Sequence, residues 1–479
     1  MIKIIGGGLA GCEAAWQAAS RGVPVTLSEM RPAHGTPAHR TADLAELVCS
    51  NSFRSDKLDN AVGLLKAEMR RLDSLVLRVA ESVRVPAGAA LAVDRELFAR
   101  GMTQALGAHP LVTVVRGEIT AIPDNAPDAP VVVATGPLTS PSLSAEIARL
   151  VGAAHLYFYD AVSPIVRADT VDMSRTFRGS RWGRSTARPE ADTGAGGVPQ
   201  AGAGEGDYLN CPLDPGEYGR FYEALTGAEC VAVHDVDRET FFEGCLPVEV
   251  MARRGRDALR FGPMKPVGLV DPRTGRPPYA VVQLRQDTLA ADHYSLVGFQ
   301  TRLTWGEQAR VLRLVPGLER AEFARYGMMH RNTYINGPAV LDATWQMRTG
   351  PALFVAGQIS GVEGYVESAA SGLMAGRNAA ALVTGRPLGV APRTTAIGAL
   401  AYYVSHAAQA GYQPTNITFG IMEPMARPPR RRLARAQALA ARALADLDGW
   451  IAQDEAAAAA VPRGHPGAGQ ASPGRTVSR

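Results

Sequence analysis

The first apolar run, Lys3-Ile4-Ile5, leads into a glycine-rich turn from Gly6 to Gly11. An alanine-rich stretch from Cys12 to Ser20 follows and stops at Arg21-Gly22. A second apolar run, Val23 to Ser28, ends at Glu29. Strand, turn, helix and strand in this order make one parallel βαβ unit. Strand patterns return at Leu111 to Val115 and at Val131 to Ala134, the latter closed by Thr135-Gly136-Pro137. Helical patterns lie between them, at Ala61 to Val79 and Arg95 to Leu106. From about Asp160 the pattern turns irregular and rich in Pro and Gly, and the low-complexity stretch from Arg184 to Gly206 reads as a flexible insertion. Strand, glycine turn and helix then resume at Ala352 to Ala356, Gly357 to Gly364 and Ser368 to Leu382. The resumption implies that one domain is interrupted by another. The expected division is 1–155 and 326–425 for the two parts of a nucleotide-binding domain, 156–325 for an insert, and 426–479 for a basic helical segment running to about Ile451 and then a disordered tail.

The spacing Gly6-x-Gly8-x-x-Gly11 sits between strand and helix, where a dinucleotide fingerprint needs it. The first glycine allows the tight turn, the second lets backbone N–H groups approach a pyrophosphate, and the third lets helix and strand pack closely. Gly7, Leu9 and Ala10 fill the turn, and the helix N-terminus behind them favours an anion. Glu29, at the end of the second strand, is placed to accept hydrogen bonds from a ribose. FAD and NAD share this signature. The late glycine unit around Gly357, Gly361, Gly364 and Tyr365 favours tightly held FAD, with NADH or NADPH as a visiting reductant. The fold class is therefore α/β: a Rossmann-like FAD-binding domain of the GR2 flavoprotein type with an inserted α+β domain.

Composition narrows this only slightly. A chain of 479 residues with 46% apolar content can bury a large core, and its net charge of +4 permits an anionic partner such as RNA without requiring one. Cys12, Cys49, Cys211, Cys230 and Cys245 form no C-x-x-C pair and show no zinc-ligand spacing, so a reducing, cytoplasmic setting is expected. No apolar run approaches the roughly 20 residues needed to cross a bilayer. Leu9-Ala10-Gly11-Cys12 imitates a lipidation box, but the stretch before it is too short and glycine-rich for a signal segment.

Five segments together are more specific: Gly6-Gly-Gly-Leu-Ala-Gly-Cys-Glu-Ala-Ala, Leu47-Val-Cys-Ser-Asn-Ser-Phe-Arg-Ser-Asp56, Phe242-Glu-Gly-Cys-Leu-Pro-Val-Glu249, Met328-Met-His-Arg-Asn-Thr-Tyr-Ile-Asn336 and Ala356-Gly-Gln-Ile-Ser-Gly-Val-Glu-Gly-Tyr365. From residue 1 to about 425 they resemble the folate- and FAD-dependent tRNA uracil-5-methyltransferases, the TrmFO family. The glycine segments are shared with the MnmG family of wobble-uridine flavoproteins, which carries a long C-terminal helical extension. The resemblance implies 5-methyluridine formation at the T-loop uridine 54 of tRNA, with 5,10-methylenetetrahydrofolate as carbon donor and FAD reduced by NADH or NADPH. It implies no membrane and no stable protein partner.

Uracil C5 is a poor nucleophile until a thiolate adds at C6, so such chemistry needs a reactive cysteine beside flavin. By segment matching, Cys245 is expected to attack C6 and Cys49 to serve the flavin side, with Arg54 close by to favour its thiolate. Cys12, Cys211 and Cys230 are expected to be structural. His330, Arg331 and Asn332 are candidates for folate or flavin polar groups. Arg253 and Arg254, with Arg256 and Arg260, could meet tRNA phosphates, and Arg427 to Arg435 could add a nonspecific grip. Two alternatives stay open: a wobble-uridine enzyme of the MnmG kind, or a small-molecule NAD(P)H flavoprotein oxidoreductase.

Overall fold

The computed structural model describes residues 1–36, 38–152, 156–183, 206–231 and 246–460, the side chains at 156–160, 330–331 and 457–460 excepted. Five parallel strands build the first sheet, in the spatial order Gly350–Val355, Val131–Val133, Ile2–Ile5, Val25–Glu29 and Val112–Arg116; Gln346–Met347 is added antiparallel at one edge. Numbered along the chain, the parallel strands run 3-2-1-4-5, the nucleotide-binding order, and the reversal beside the first strand opens a crevice at the strands' carboxyl ends.

Above this sheet the helices Leu9–Ala19 and Tyr365–Val383 meet backbone to backbone. A Cβ at Gly372 would lie 2.1 Å from the Ala10 carbonyl oxygen, and one at Gly376 would lie 2.4 Å from that of Ala14. Small residues are what allow this approach, which explains why both helices read as alanine-rich. Two buried carboxylates join helices around the pair, Glu13 from within it and Glu68 from the neighbouring helix Ala61–Arg71. Glu13 accepts from the Ser74 hydroxyl and from the Leu75 and Val76 N–H groups, and Glu68 accepts from the Ala396 and Ile397 N–H groups. Each serves an orphan helix N-terminus. Burial outweighs these bonds and raises Glu13 to about 7 and Glu68 to about 8.

The segment from 165 to 325 holds a separate, wholly antiparallel sheet in the order Phe177–Gly179, Tyr208–Leu213, Ala280–Gln286, His293–Leu296, Ile165–Arg167, Phe323–Arg325. Tyr218, Phe221, Tyr294 and Phe299 fill the core beneath it. This regularity is a departure from the irregular reading of the sequence, and Ala280–Gln286 shows why. All seven of its residues are buried, Gln283, Arg285 and Gln286 included, and the alternation of apolar and polar positions is confined to Val282-Gln283-Leu284-Arg285, too short to stand out as a strand. An antiparallel ribbon, Leu156–Ala161 against Met329–Tyr334, leads the chain into and out of this unit.

At the carboxyl end, a helix spans Arg432–Ala460, further than expected. It is no loose tail in the described residues: Leu439, Ala440, Ala443 and Leu447 are buried, and Arg71–Asp448 and Arg377–Asp454 ion pairs hold it to the first domain. The stretch 184–205 and the residues beyond 460 lie outside the described residues. Among those described, no helix is long and apolar enough to cross a membrane.

A candidate flavin cleft and its cysteine loop

A cleft of about 430 Å³ opens at the strand reversal, within the range of small-molecule sites. Gly6, Gly7, Gly8, Leu9 and Ala10 form one wall, Gly357, Gly364 and Tyr365 another, and Arg285, Ser295 and Gln300 of the inserted unit close over it. The glycines differ in what they do. Gly6, with φ of +106°, and Gly11 are closed in by backbone: a Cβ at Gly6 would lie 2.5 Å from the Ala134 carbonyl oxygen, and one at Gly11 would lie 1.9 Å from that of Gly6. At Gly8 a Cβ would meet nothing within 4 Å. Gly8 caps the Leu9–Ala19 helix with no side-chain bond, and Gly364 caps Tyr365–Val383 in the same way. Two helix N-termini without side-chain caps therefore face one cleft, a fitting cradle for the phosphates of a dinucleotide. Gly11 and Gly361 are not brought to the cleft. Gly11 packs on Gly6, and Gly361 lies against Tyr412, whose hydroxyl donates to its carbonyl at 3.1 Å.

Glu29 reaches the cleft already engaged. Its carboxylate accepts from Gly7 N–H at 2.9 Å, Arg31 N–H at 3.0 Å and Arg31 Nε at 2.8 Å. Burial alone would raise its pKa, but the hydrogen bonds and charge of Arg31 override burial and hold it below the usual carboxylate range. The ionised carboxylate keeps acceptor capacity for ribose hydroxyls.

Cys49, half-buried, lines the same cleft on a loop clamped from three directions. The Tyr365 hydroxyl accepts the N–H groups of Cys49 at 2.8 Å and Ser50 at 3.0 Å. Arg95 Nη1 donates to Leu47 O at 3.1 Å while its other nitrogens pair with Asp287. Arg285 Nε donates to Asn51 Oδ1 at 2.7 Å and its Nη2 to Ser50 Oγ at 2.8 Å; Asn51 Nδ2 in turn donates to Gln286 O at 3.0 Å. The loop thus belongs to both domains. Arg54 lines the same cleft and is paired with the buried Glu367; Arg95, Arg285 and Arg325 also lie in electrostatic reach of Cys49. Sequence reasoning missed Arg95, Arg285 and Asp287 because none stands in a motif; the signal available was an arginine inside an otherwise apolar strand pattern.

Cys12 and Cys211 are fully buried, and burial raises both thiols well above their ordinary range; Cys230 is half-buried and also raised by burial. Cys12 donates to the Gly7 carbonyl and so supports the glycine turn. Cys245 lies outside the described residues. The chain on either side is anchored beside the cleft: Val231 N–H donates to Arg302 O, and Val248 N–H to Gln300 O, whose residue lines it. Asn332 is buried and lines the cleft, whereas His330 and Arg331 are described only in their backbone pairing with Asp160 and Tyr159. Arg253 and Arg254 are exposed at the end of the Val248–Arg253 helix and do not line the cleft. Arg260 is committed locally, to Asp257 and over the Tyr279 ring.

The family model for glucose inhibited division protein A matches residues 1–387. The methylenetetrahydrofolate-tRNA-(uracil-5-)-methyltransferase TrmFO of Moorella thermoacetica is 56% identical over 443 residues, covering 92% of this chain and 96% of its own. That of Bacillus cytotoxicus is 51% identical over 451 residues, covering 94% and 99%. Among solved structures, GidA of Aquifex aeolicus superposes with a TM-score of 0.63 at 16% identity, over 95% of this chain and 76% of that one, and so speaks for the fold alone. With half or more of its residues shared by TrmFO enzymes across nearly the whole length of both chains, the chain belongs to the TrmFO family.

Proposed function

We propose that this protein methylates C5 of a uridine in tRNA, the T-loop uridine 54, with 5,10-methylenetetrahydrofolate as carbon donor and NADH or NADPH as reductant. The observation that carries the reading is the convergence of a dinucleotide cradle and a cysteine loop on one cleft, in a chain of this family. FAD, when bound, supplies the redox-active carrier for the carbon and the hydride.

The chain's own groups divide the remaining work. The N–H groups at Gly8 and Gly364 receive the phosphates, and the Glu29 carboxylate receives ribose hydroxyls. Tyr365 fixes the backbone of Cys49 in the cleft wall, where the Cys49 Sγ rests 3.8 Å from the Ala161 carbonyl oxygen and would serve the flavin side. Cys245 would add through its thiolate to uracil C6, which makes C5 nucleophilic towards the one-carbon unit; after C5 loses its proton to leave an exocyclic methylene, hydride addition to that carbon would form the methyl group and re-form the C5–C6 double bond as the thiolate departs. Support for Cys245 is its match to the family segment and the bond of Val248, three residues on, to the carbonyl of the cleft residue Gln300. His330, Arg331 and Asn332 hold polar groups of folate or flavin. The target base must leave the folded loop to reach the thiol. Arg253 and Arg254 and the exposed cluster from Arg427 to Arg435 are placed on the outer surface, where they would grip backbone phosphates rather than read bases. Such an enzyme works in the cytoplasm without a stable protein partner.

The test is nucleoside mass spectrometry of unmodified tRNA incubated with FAD-loaded protein, NADPH and methylenetetrahydrofolate, beside a reaction supplied only with S-adenosylmethionine. Ribothymidine is expected with folate alone and is expected to vanish in Cys245→Ala. Modification at a wobble uridine, or no product from a folded flavoprotein, would overturn the reading.

A further inference from the structure

A second cavity, of about 190 Å³, lies where the helices Leu9–Ala19 and Tyr365–Val383 end against the far half of the C-terminal helix, and it shares no lining residue with the flavin cleft. Arg21, Arg377 and Arg386 line it together with the Trp450 indole, and Asp454 is the one carboxylate among the described residues that does so. Among the lining residues three guanidiniums face one carboxylate, with Asp73 and Glu455 in electrostatic reach of Arg21 and Arg377 from outside the lining.

The bonds these arginines make in the described structure use few of their donors. Arg21 Nη1 donates to the carbonyl and side-chain oxygens of Gln17 at 2.8 Å, a helix C-terminal contact that its charge suits. Arg377 Nη2 donates to Asp454 at 2.5 Å, and Arg386 Nε donates to Thr384 Oγ1 at 2.9 Å. A guanidinium carries five N–H donors in a fixed fork, so most of the fork positions are available for a further acceptor. Clustered like charges are also costly where solvent is scarce: burial and the neighbouring guanidiniums lower Arg21 to about 9, and Arg377 is lowered as well. A small dianion or polyanion would reverse that cost.

We propose that this cavity is a binding site for a small phosphate-bearing anion of about pyrophosphate size, held between the Arg21, Arg377 and Arg386 guanidiniums. Phosphate matches the guanidinium fork in geometry as well as charge. The cavity has less than half the volume of the flavin cleft, which suits a small anion. Because Arg377 and Asp454 already join the nucleotide-binding domain to the C-terminal helix, the anion fastens that helix to the body of the protein. The inference is independent of the proposed methylation.

Calorimetric titration of the FAD-loaded full-length protein with pyrophosphate tests it, in wild type, Arg386→Gln and Arg21→Gln, with sodium chloride at matched ionic strength and a short single-stranded RNA as parallel titrants. Arg386 is half-exposed, so its variant is expected to fold and to keep its flavin spectrum. The expected result is saturable binding of one pyrophosphate per chain, weakened about tenfold or more in each variant, with chloride inert. Hydrogen exchange at Trp450–Asp454 is expected to slow on saturation in wild type only. Absence of saturable heat, or equal affinity in all three proteins, would overturn the proposal. So would variant-sensitive binding of RNA without binding of pyrophosphate, which would make the cluster a contact for RNA backbone.

Discussion

Both domains bury aromatic cores, with Phe98, Trp345 and Phe354 in the first, but they differ in their closest contacts. In the nucleotide-binding domain the central contact is between backbones: Gly11 on Gly6, Gly372 on Ala10, Gly376 on Ala14, each so close that one methyl group would overlap a carbonyl oxygen. In the inserted unit the core is made of large side chains, Tyr218, Phe221, Tyr294 and Phe299, packed on an antiparallel sheet. The first arrangement leaves room for a dinucleotide at the helix ends but tolerates almost no change in shape. The second tolerates loss of volume at a graded cost and supplies, from one buried strand, the Arg285 and Gln286 contacts that hold the Cys49 loop.

This contrast can be broken or sharpened in order of effect. Phe221→Ala, at a fully buried ring, is expected to cost about 3–5 kcal/mol in urea unfolding, with FAD still bound in the fraction that folds. Gly372→Ala should cost about 1–3 kcal/mol or more by forcing the two helices apart, and here flavin absorbance is expected to be lost together with stability. Tyr365→Phe removes the acceptor of two backbone N–H groups. A loss of about 1–3 kcal/mol and a fall in kcat larger than any change in FAD affinity are the expected readings. Gly8→Ala is the sharpest contrast within the cradle. Its φ of −78° suits alanine and its Cβ would be unobstructed, so the apo-protein's unfolding midpoint should stay within about 0.5 kcal/mol of wild type while FAD affinity falls. Equal stability loss in Gly8→Ala and Gly372→Ala would erase the distinction between a cradle and a packing contact.

A pH effect separates the domains too. Burial raises Glu13 to about 7 and Glu68 to about 8 in the folded nucleotide-binding domain, so the folded state holds these protons more tightly than the unfolded chain. Stability from this source is therefore greatest below the ordinary carboxylate pKa of about 4.5, falls as pH rises towards 8, and is flat beyond. Glu68→Gln should flatten that decline between pH 5 and 8 by roughly half. An unchanged slope would show that Glu68 stays ionised throughout.

The same contrast explains what the sequence revealed. A backbone contact demands glycine, and a demand so strict is visible at Gly6 and Gly11; with Gly8 at the helix start, the acidic residue at Glu29 and the late turn from Gly357, the nucleotide-binding unit was readable, and with it the parallel sheet. A side-chain core demands only size, which many sequences meet. An α+β insert was expected, but the strand Ala280–Gln286, whose alternation is confined to Val282–Arg285, was not picked out, nor was the clamp of Arg95, Arg285 and Asp287 on the cysteine loop. The Arg95–Asp287 and Arg285–Ser50 contacts join residues 192 and 235 positions apart, and only the folded chain brings them together. Tyr365 was legible as a cleft residue, but its hydroxyl serves the backbone of Cys49 and Ser50 as well.

The most direct test of the central claim, that the cleft sets Cys49 to work beside the flavin, is the transfer of a carbon-13 label from methylenetetrahydrofolate to tRNA by Cys49→Ala with its FAD content and tRNA affinity measured on the same sample. Retained FAD and tRNA binding with labelled ribothymidine reduced by about a hundredfold or more is the expected result. Label transfer at the wild-type rate would contradict the account.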